Sequence, residues 1–168
     1  MSTTIRFVNT KFTECVELCT TLDKKCFPQE MWLADEEING LLKADAWATT
    51  VSCNGKNIGL SITMSENEAS ALLDSSDALF TPQKHGAYSY SEAIHPDFQN
   101  HGIGSLLLRE TKFFIARIGY KTLSAHVRRK NGWDTKREKG ISLIEKRLVE
   151  NFWPLHMQEP VMFQHGRV

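Results

Sequence analysis

The 168-residue sequence predicts a mixed α/β fold, a mainly antiparallel sheet of about six or seven strands flanked by helices. Three observations predict it. Apolar residues alternate at the period of a strand in several short runs, Asn54-Gly55 divides two of these runs as a tight hairpin turn would, and a strand, a glycine loop and a long amphipathic helix succeed one another between Ala87 and Gly119. A 41% hydrophobic share suits a single core, so residues 1–168 are expected to form one domain.

Ile5 to Val8 opens the chain as a strand. Phe12, Cys15, Val16, Cys19 and Leu22 then recur at helical spacing, with Asn9 or Thr10 available as N-cap. Pro28 interrupts, and Asp35-Glu36-Glu37 supplies a cap and two acids at the start of a second helix, striped by Ile38, Leu41 and Leu42. Trp47, Thr49, Val51 and Cys53, then Ile58, Leu60, Ile62 and Met64, form the two arms of the hairpin. Residues 65–86 are polar and read as an insertion, a loop with at most one helical turn.

Ala87 to Ile94 returns to strand, its alternation placing Tyr88, Tyr90, Glu92 and Ile94 on one face and Ala87, Ser89, Ser91 and Ala93 on the other, where small side chains admit a helix. Ile103, Leu106, Leu107, Phe113, Phe114 and Ile118 define the long helix, and Gly119 ends it. Leu123, Ala125 and Val127 begin another strand. A short helix over 131–139, a segment at 141–149 readable as strand or helix, and a strand at 161–164 complete the order. The apolar tail residues Phe152, Trp153, Phe163 and Val168 could contribute to a homodimer contact.

Acidic and basic residues number 20 each, so no net charge draws the chain to nucleic acid or an anionic membrane. No apolar run approaches the roughly 18 residues of a membrane span, and the N-terminus lacks the apolar region of a signal peptide, so cytoplasmic residence is expected. Cys15, Cys19, Cys26 and Cys53 read as reduced thiols. Cys15 and Cys19 stand at metal-ligand spacing, but no CxxC or HxxxH pair accompanies them, and no metal is expected.

Gln99-Asn100-His101-Gly102-Ile103-Gly104 lies between strand and helix. Helix N-termini expose unpaired N–H groups, and glycines remove the Cβ atoms that would keep phosphate oxygens away. The same glycines also suit a plain turn. A Walker loop is excluded by the missing Gly-Lys-Ser/Thr, and a Rossmann loop by Leu107 where a third glycine would stand.

The remaining pattern, Gln-x-x-Gly-x-Gly preceded by Ile94-His95-Pro96 and followed by Ser105-Leu106-Leu107-Leu108, resembles the GCN5-related N-acetyltransferase (GNAT) superfamily. The resemblance extends from about Ile5 to Gly140 and implies acetyl-CoA as cosubstrate. Its pyrophosphate would lie on Gln99, Asn100, His101, Gly102, Ile103, Gly104 and Ser105. Its pantetheine would lie beside Ala93 and Ile94, with Asn131 as a further hydrogen-bonding residue, and the main-chain N–H of Ile94 would face the thioester carbonyl.

The implied reaction is acetyl transfer to a primary amine by direct attack, and the attacking ammonium must first lose a proton. Glu92 is the candidate base, directly or through water. The family's tyrosine that protonates the departing thiolate would fall near Lys136 or Arg137, and this chain has no tyrosine after Tyr120. Tyr90 and His126 are the substitutes, although a thiol leaves tolerably without an acid. Arg128-Arg129-Lys130 could offset CoA phosphate charge, or form a solvated turn. Tyr88, Tyr90, Trp32, Trp47 and the 65–86 insertion are candidate acceptor-pocket residues, and Glu36, Glu37 or Glu92 could favour a cationic acceptor, small molecule or peptide. The competing readings are a silent CoA-binding or interaction module, and a partner-binding domain whose glycines only cap a helix.

Overall fold

A computed structural model describes residues 3–73, 80–128 and 141–147. Six strands in this part of the chain form one sheet in simple sequential order, β1 (Ile5–Lys11), β2 (Trp47–Cys53), β3 (Lys56–Ser65), β4 (Gly86–Ile94), β5 (Thr122–Arg128) and β6 (Ile141–Arg147). Every pairing is antiparallel except β4 with β5. Helices α1 (Val16–Cys26), α2 (Asp35–Lys43) and α3 (Glu66–Leu73) cover one face, and α4 (Ile103–Arg117) covers the other. The mixed, mainly antiparallel class expected from the sequence is the class observed.

The hairpin forms where Asn54-Gly55 places it. Both residues take positive φ, 49° and 81°, as a turn matched to strand twist requires. Segment 141–149, ambiguous in sequence, contains strand β6. The α4 helix ends as expected, with Gly119 at φ 106° one residue past the C-cap Ile118.

Helix starts differ from expectation. Asn9 and Thr10 belong to β1, and a single 3-10 turn over Phe12–Glu14 separates that strand from α1, whose N-cap position is Cys15. The apolar spacing from Phe12 thus runs through two elements. In α2 the cap position is Ala34 and Asp35 is already helical. The carboxylate of Glu37 reaches back to accept from the Ala34 N–H at 2.9 Å, which satisfies one of the open donors at the helix start.

The 65–86 segment holds a two-turn helix, α3. Ser65 and Glu68 form its capping box, Ser65 Oγ accepting from the Glu68 N–H at 3.2 Å and Glu68 Oε2 accepting from the Ser65 N–H at 3.2 Å. Glu66, only 1% exposed, accepts from Ser124 Oγ on β5 and from the Gln83 N–H, both at 2.7 Å. The insertion is thereby fastened to the start of the β4–β5 pairing. Gly86 is required there, because a Cβ would come within 2.3 Å of the Glu66 carboxyl carbon.

Two irregularities shape the middle of the sheet. Strands β4 and β5 pair only from Gly86–Thr122 to Tyr88–Ser124 and fork beyond. In β4, Ser89 faces Thr63 and Ser91 faces Ile62, which leaves Tyr90 as an extra residue, a β-bulge. The bulge reverses the alternation. Ala87 packs with Phe114 and Leu123 under α4, and Tyr88 packs into the core of α1 to α3; after the bulge, Ala93 joins that core and Ile94 packs under α4.

Candidate active site

The glycine loop follows β4 directly. A 3-10 turn over Pro96–Phe98 closes the strand end, and the Gln99 side-chain amide donates to the Ile94 carbonyl at 2.8 Å, tying the loop back to β4. His101 Nδ1 contacts the Gln99 carbonyl at 2.7 Å. Asn100 and Gly102 both take left-handed φ, 63° and 77°, and Gly102 is the N-cap residue of α4. The first in-helix bond runs from the Leu106 N–H to the Gly102 carbonyl, so the amides of Ile103, Gly104 and Ser105 precede it at the positive end of the helix dipole.

The start of α4 is open. A Cβ built on Gly102 would meet nothing within 4 Å, and one built on Gly104 would meet only Ile94 Cγ1 at 3.8 Å. These glycines are not demanded by protein packing. They leave the helix start open to a group that needs close approach to backbone N–H, as a diphosphate does. The side chain of Ile103 is buried beneath α4 with Val51 and Leu107, so only its main chain faces that end.

A cavity of about 720 Å³ opens at the fork between β4 and β5. Tyr88, Tyr90, Glu92 and Ile94 border it from β4, Ala125 borders it from β5, and Phe27, Met31 and Leu33 close the side of α1 and α2. Carboxylates enter from three elements, Asp23 on α1, Glu37 on α2 and Glu92 on β4. Among the described residues, no Lys or Arg lines it.

The bulge sets the chemistry of this wall. The expected single face for Tyr88, Tyr90, Glu92 and Ile94 is not observed, because the extra residue turns the strand. Tyr88 and Tyr90 face the side of α1 to α3, their rings edge to face with centroids 6.4 Å apart. Glu92 stands opposite Ser61, on the α4 side with Ile94. The four small residues of β4 divide between the faces for the same reason. All four large residues nevertheless border the cavity, which reaches both faces through the fork.

Tyr90 donates its phenol proton to Glu37 Oε1 at 2.7 Å. Burial raises the Tyr90 pKa, and the bond to Glu37 and that residue's charge raise it further, so the phenol stays protonated. Burial also raises the Glu92 pKa, with the Lys112 ammonium opposing it. The result is a carboxylate more basic than an exposed one, the direction a general base at neutral pH needs.

Asp23 was not foreseen in the sequence as a cavity residue. It is 6% exposed and accepts from the Leu33 N–H at 2.8 Å, which fixes the segment entering α2; burial raises its pKa, an effect the Leu33 bond opposes. The available signal was an acid four residues after Cys19, on the buried stripe of α1. Two aromatic candidates lie elsewhere. Trp32 is exposed and donates to the Phe27 carbonyl at 2.9 Å, and Trp47 packs on Phe114 under α4. Glu36 does not line the cavity.

Ala93 is a core residue, 5% exposed, and can meet a ligand only through its main chain. His126 lies on β5 opposite Leu143, with only its backbone described. Asn131, Arg129 and Lys130, the expected helix at 131–139, the strand at 161–164 and the apolar tail lie outside the described residues. The four cysteines form no disulfide. Burial pushes the Cys15 thiol up to about 11 and the Cys19 thiol up to about 12, so both are protonated at neutral pH. No helix among the described residues is long and apolar enough to cross a membrane.

No family model and no curated protein sequence matches the chain. Solved structures match its fold. The ribosomal-protein-S18-alanine N-acetyltransferase of Escherichia coli superposes with a TM-score of 0.54 at 18% identity, over 76% of this chain and 70% of that one. The PaiA N-acetyltransferase of Thermoplasma acidophilum, in complex with coenzyme A, gives 0.57 at 12% identity over 85% and 98%. The GphF GNAT-like decarboxylase, in complex with isobutyryl-CoA, gives 0.52 at 17% identity over 75% and 67%. The architecture is that of the GNAT proteins.

Proposed function

We propose that this chain, built on the GNAT fold, is an acyl-CoA-dependent N-acyltransferase that moves an acetyl group from acetyl-CoA to a primary amine. One observation carries the reading. The open, glycine-lined start of α4 adjoins the end of β4, and the same strand delivers Glu92 to the cavity at the fork. Phosphate binding and proton removal are thus served by consecutive segments.

In this reading the amides of Ile103, Gly104 and Ser105 and the open surface at Gly102 receive the CoA pyrophosphate, with Gln99, Asn100 and His101 shaping the loop. The pantetheine follows the main chain of Ala93 and Ile94 into the fork, and Asn131 supplies a further hydrogen bond. The acceptor enters from the side of α1 and α2. Glu92 takes the ammonium proton, directly or through water; the neutral amine attacks the thioester carbonyl, and the Ile94 N–H stabilises the oxyanion. Collapse breaks the C–S bond and releases the CoA thiolate, which takes a proton from Tyr90, from His126 or from solvent.

The cavity carboxylates Asp23, Glu37 and Glu92, with the rings of Tyr88 and Tyr90, favour a cationic acceptor, a small amine or a peptide amine. The isobutyryl-CoA in the GphF structure is a reason to test acyl donors beyond acetyl. A panel of amines assayed for CoA release tests the proposal. Release with at least one amine, abolished in Gly104→Leu, supports it; CoA binding without release from any amine supports a silent binding module instead.

A further inference from the structure

The face of the sheet beneath α4 carries a polar row. Asn9 pairs with Thr49, Thr49 with Ser61, and Ser61 with Glu92, so four strands place four polar residues side by side. The neighbouring row toward the α4 N-terminus is apolar, Phe7, Val51, Gly59 and Ile94, and packs with Ile103 and Leu107; on the other side Trp47 packs with Phe114. Thr111 is four residues after Leu107 and three before Phe114, so it falls on the α4 stripe that crosses the polar row. Residue types, register and helix spacing agree on a polar seam between two apolar clusters.

The seam is partly satisfied from within. Thr49 Oγ1 donates to Asn9 Oδ1 at 2.8 Å. Ser61 Oγ and Thr111 Oγ1 are different. Both residues are 0% exposed, and neither hydroxyl has a hydrogen-bond partner among the described residues. Buried hydroxyls are rarely left so, and the ordinary remedy is an ordered water with two to four polar partners. Cross-strand Cβ atoms lie about 4.5–5.5 Å apart, a separation that lets one water bridge the Ser61 hydroxyl and the Glu92 carboxylate.

We propose that a resident water molecule sits in this seam, accepting hydrogen bonds from Ser61 Oγ and Thr111 Oγ1 and donating one to the Glu92 carboxylate. Ser61 and Thr111 are then positioning residues for Glu92, acting from the side of the sheet away from the acceptor. A donor to the charged form lowers a carboxyl pKa, so the water holds Glu92 below the value burial alone would give it. Among the described residues, Lys112 on α4 is the charged group that acts on Glu92, and the cavity that Glu92 borders is also lined by Asp23 on α1, Glu37 on α2 and Ala125 on β5. The catalytic consequence rests on Glu92 being the base; the water itself does not.

The test is the titration of Glu92 in the full chain, followed by its carboxyl carbon-13 shift, with thermal melting alongside. Ser61→Ala and Thr111→Val should each raise the Glu92 pKa by about one unit, a tenfold change in its proton affinity, with little loss of melting temperature because no protein partner is removed. Thr111→Ser, which keeps the hydroxyl, should titrate as the parent. An unchanged Glu92 titration in Ser61→Ala and Thr111→Val, both folded, overturns the proposal. CoA release that survives in Glu92→Gln would instead remove Glu92 as base, a result the titration is independent of.

Discussion

On the proposed function, Gly104 serves binding and Glu92 serves chemistry. Gly104 is helical, and its side-chain direction is open in the free chain. Gly104→Leu should therefore fold with an unchanged or slightly higher melting temperature, since leucine is the better helix former, and lose at least tenfold in CoA affinity by calorimetry. A large fall in melting temperature would show that the glycine serves packing. Glu92→Gln should keep CoA affinity and lose about 100-fold or more in turnover. In the parent, turnover should rise with pH through a Glu92 pKa above the usual carboxylate range, and that limb should vanish in the glutamine variant. Tyr90→Phe breaks the bond that joins the bulge to α2; a bond to a charged acceptor contributes about 1.5–3 kcal/mol, and this half-buried pair should fall near the lower end in chemical denaturation.

At the scale of elements, α3 packs Ala69 and Leu72 into the core, and the buried carboxylate of Glu66 fastens its start to β5. Gly86→Ala would drive a methyl group into the Glu66 carboxyl, which two hydrogen bonds already fix. Overpacking of this kind costs about 1–3 kcal/mol, and amide exchange should show α3 losing protection before the β1–β3 sheet. These elements were unequally legible. The hairpin, β4, the glycine loop and α4 could be read because each has a local signal, Asn-Gly, alternation, paired glycines or a helical stripe. The α3 helix had one too, Ser65-Glu66-Asn67-Glu68, but the polar context concealed a capping box. The bulge at Tyr90 had none, since a tyrosine among alternating residues looks like a continuing strand, and only register with β3 exposes it. Glu66 and Asp23 were hidden because their partners, Ser124 on β5 and Leu33 in the link before α2, lie outside their own helices.

Over the whole molecule, burial raises both Asp23 and Glu92. A carboxyl whose pKa is higher folded than unfolded binds its proton more tightly in the native state. Its contribution to stability is therefore greatest when both states are protonated, and declines as pH rises from the unfolded pKa to the folded one. Removing the Glu92 charge removes that decline, so Glu92→Gln should melt higher than the parent at neutral pH and converge with it in acid, as followed by circular dichroism. The proposed cosubstrate would act in the opposite sense. Acetyl-CoA at 100 times its dissociation constant should add about 2.7 kcal/mol to the parent and, at the same concentration, about 1.4 kcal/mol or less to Gly104→Leu.

The Tyr90 bulge also governs what the lineage of this chain can change. Ser89 and Ser91 face the adjacent Thr63 and Ile62, so loss of the one supernumerary codon would join them in regular register, with Glu92, Ala93 and Ile94 still on their β3 partners and their sides of the sheet. What would go is the tyrosine and its bond to Glu37. The strand thus carries a spare residue, and a shortening by one can be absorbed there without readdressing any other side chain.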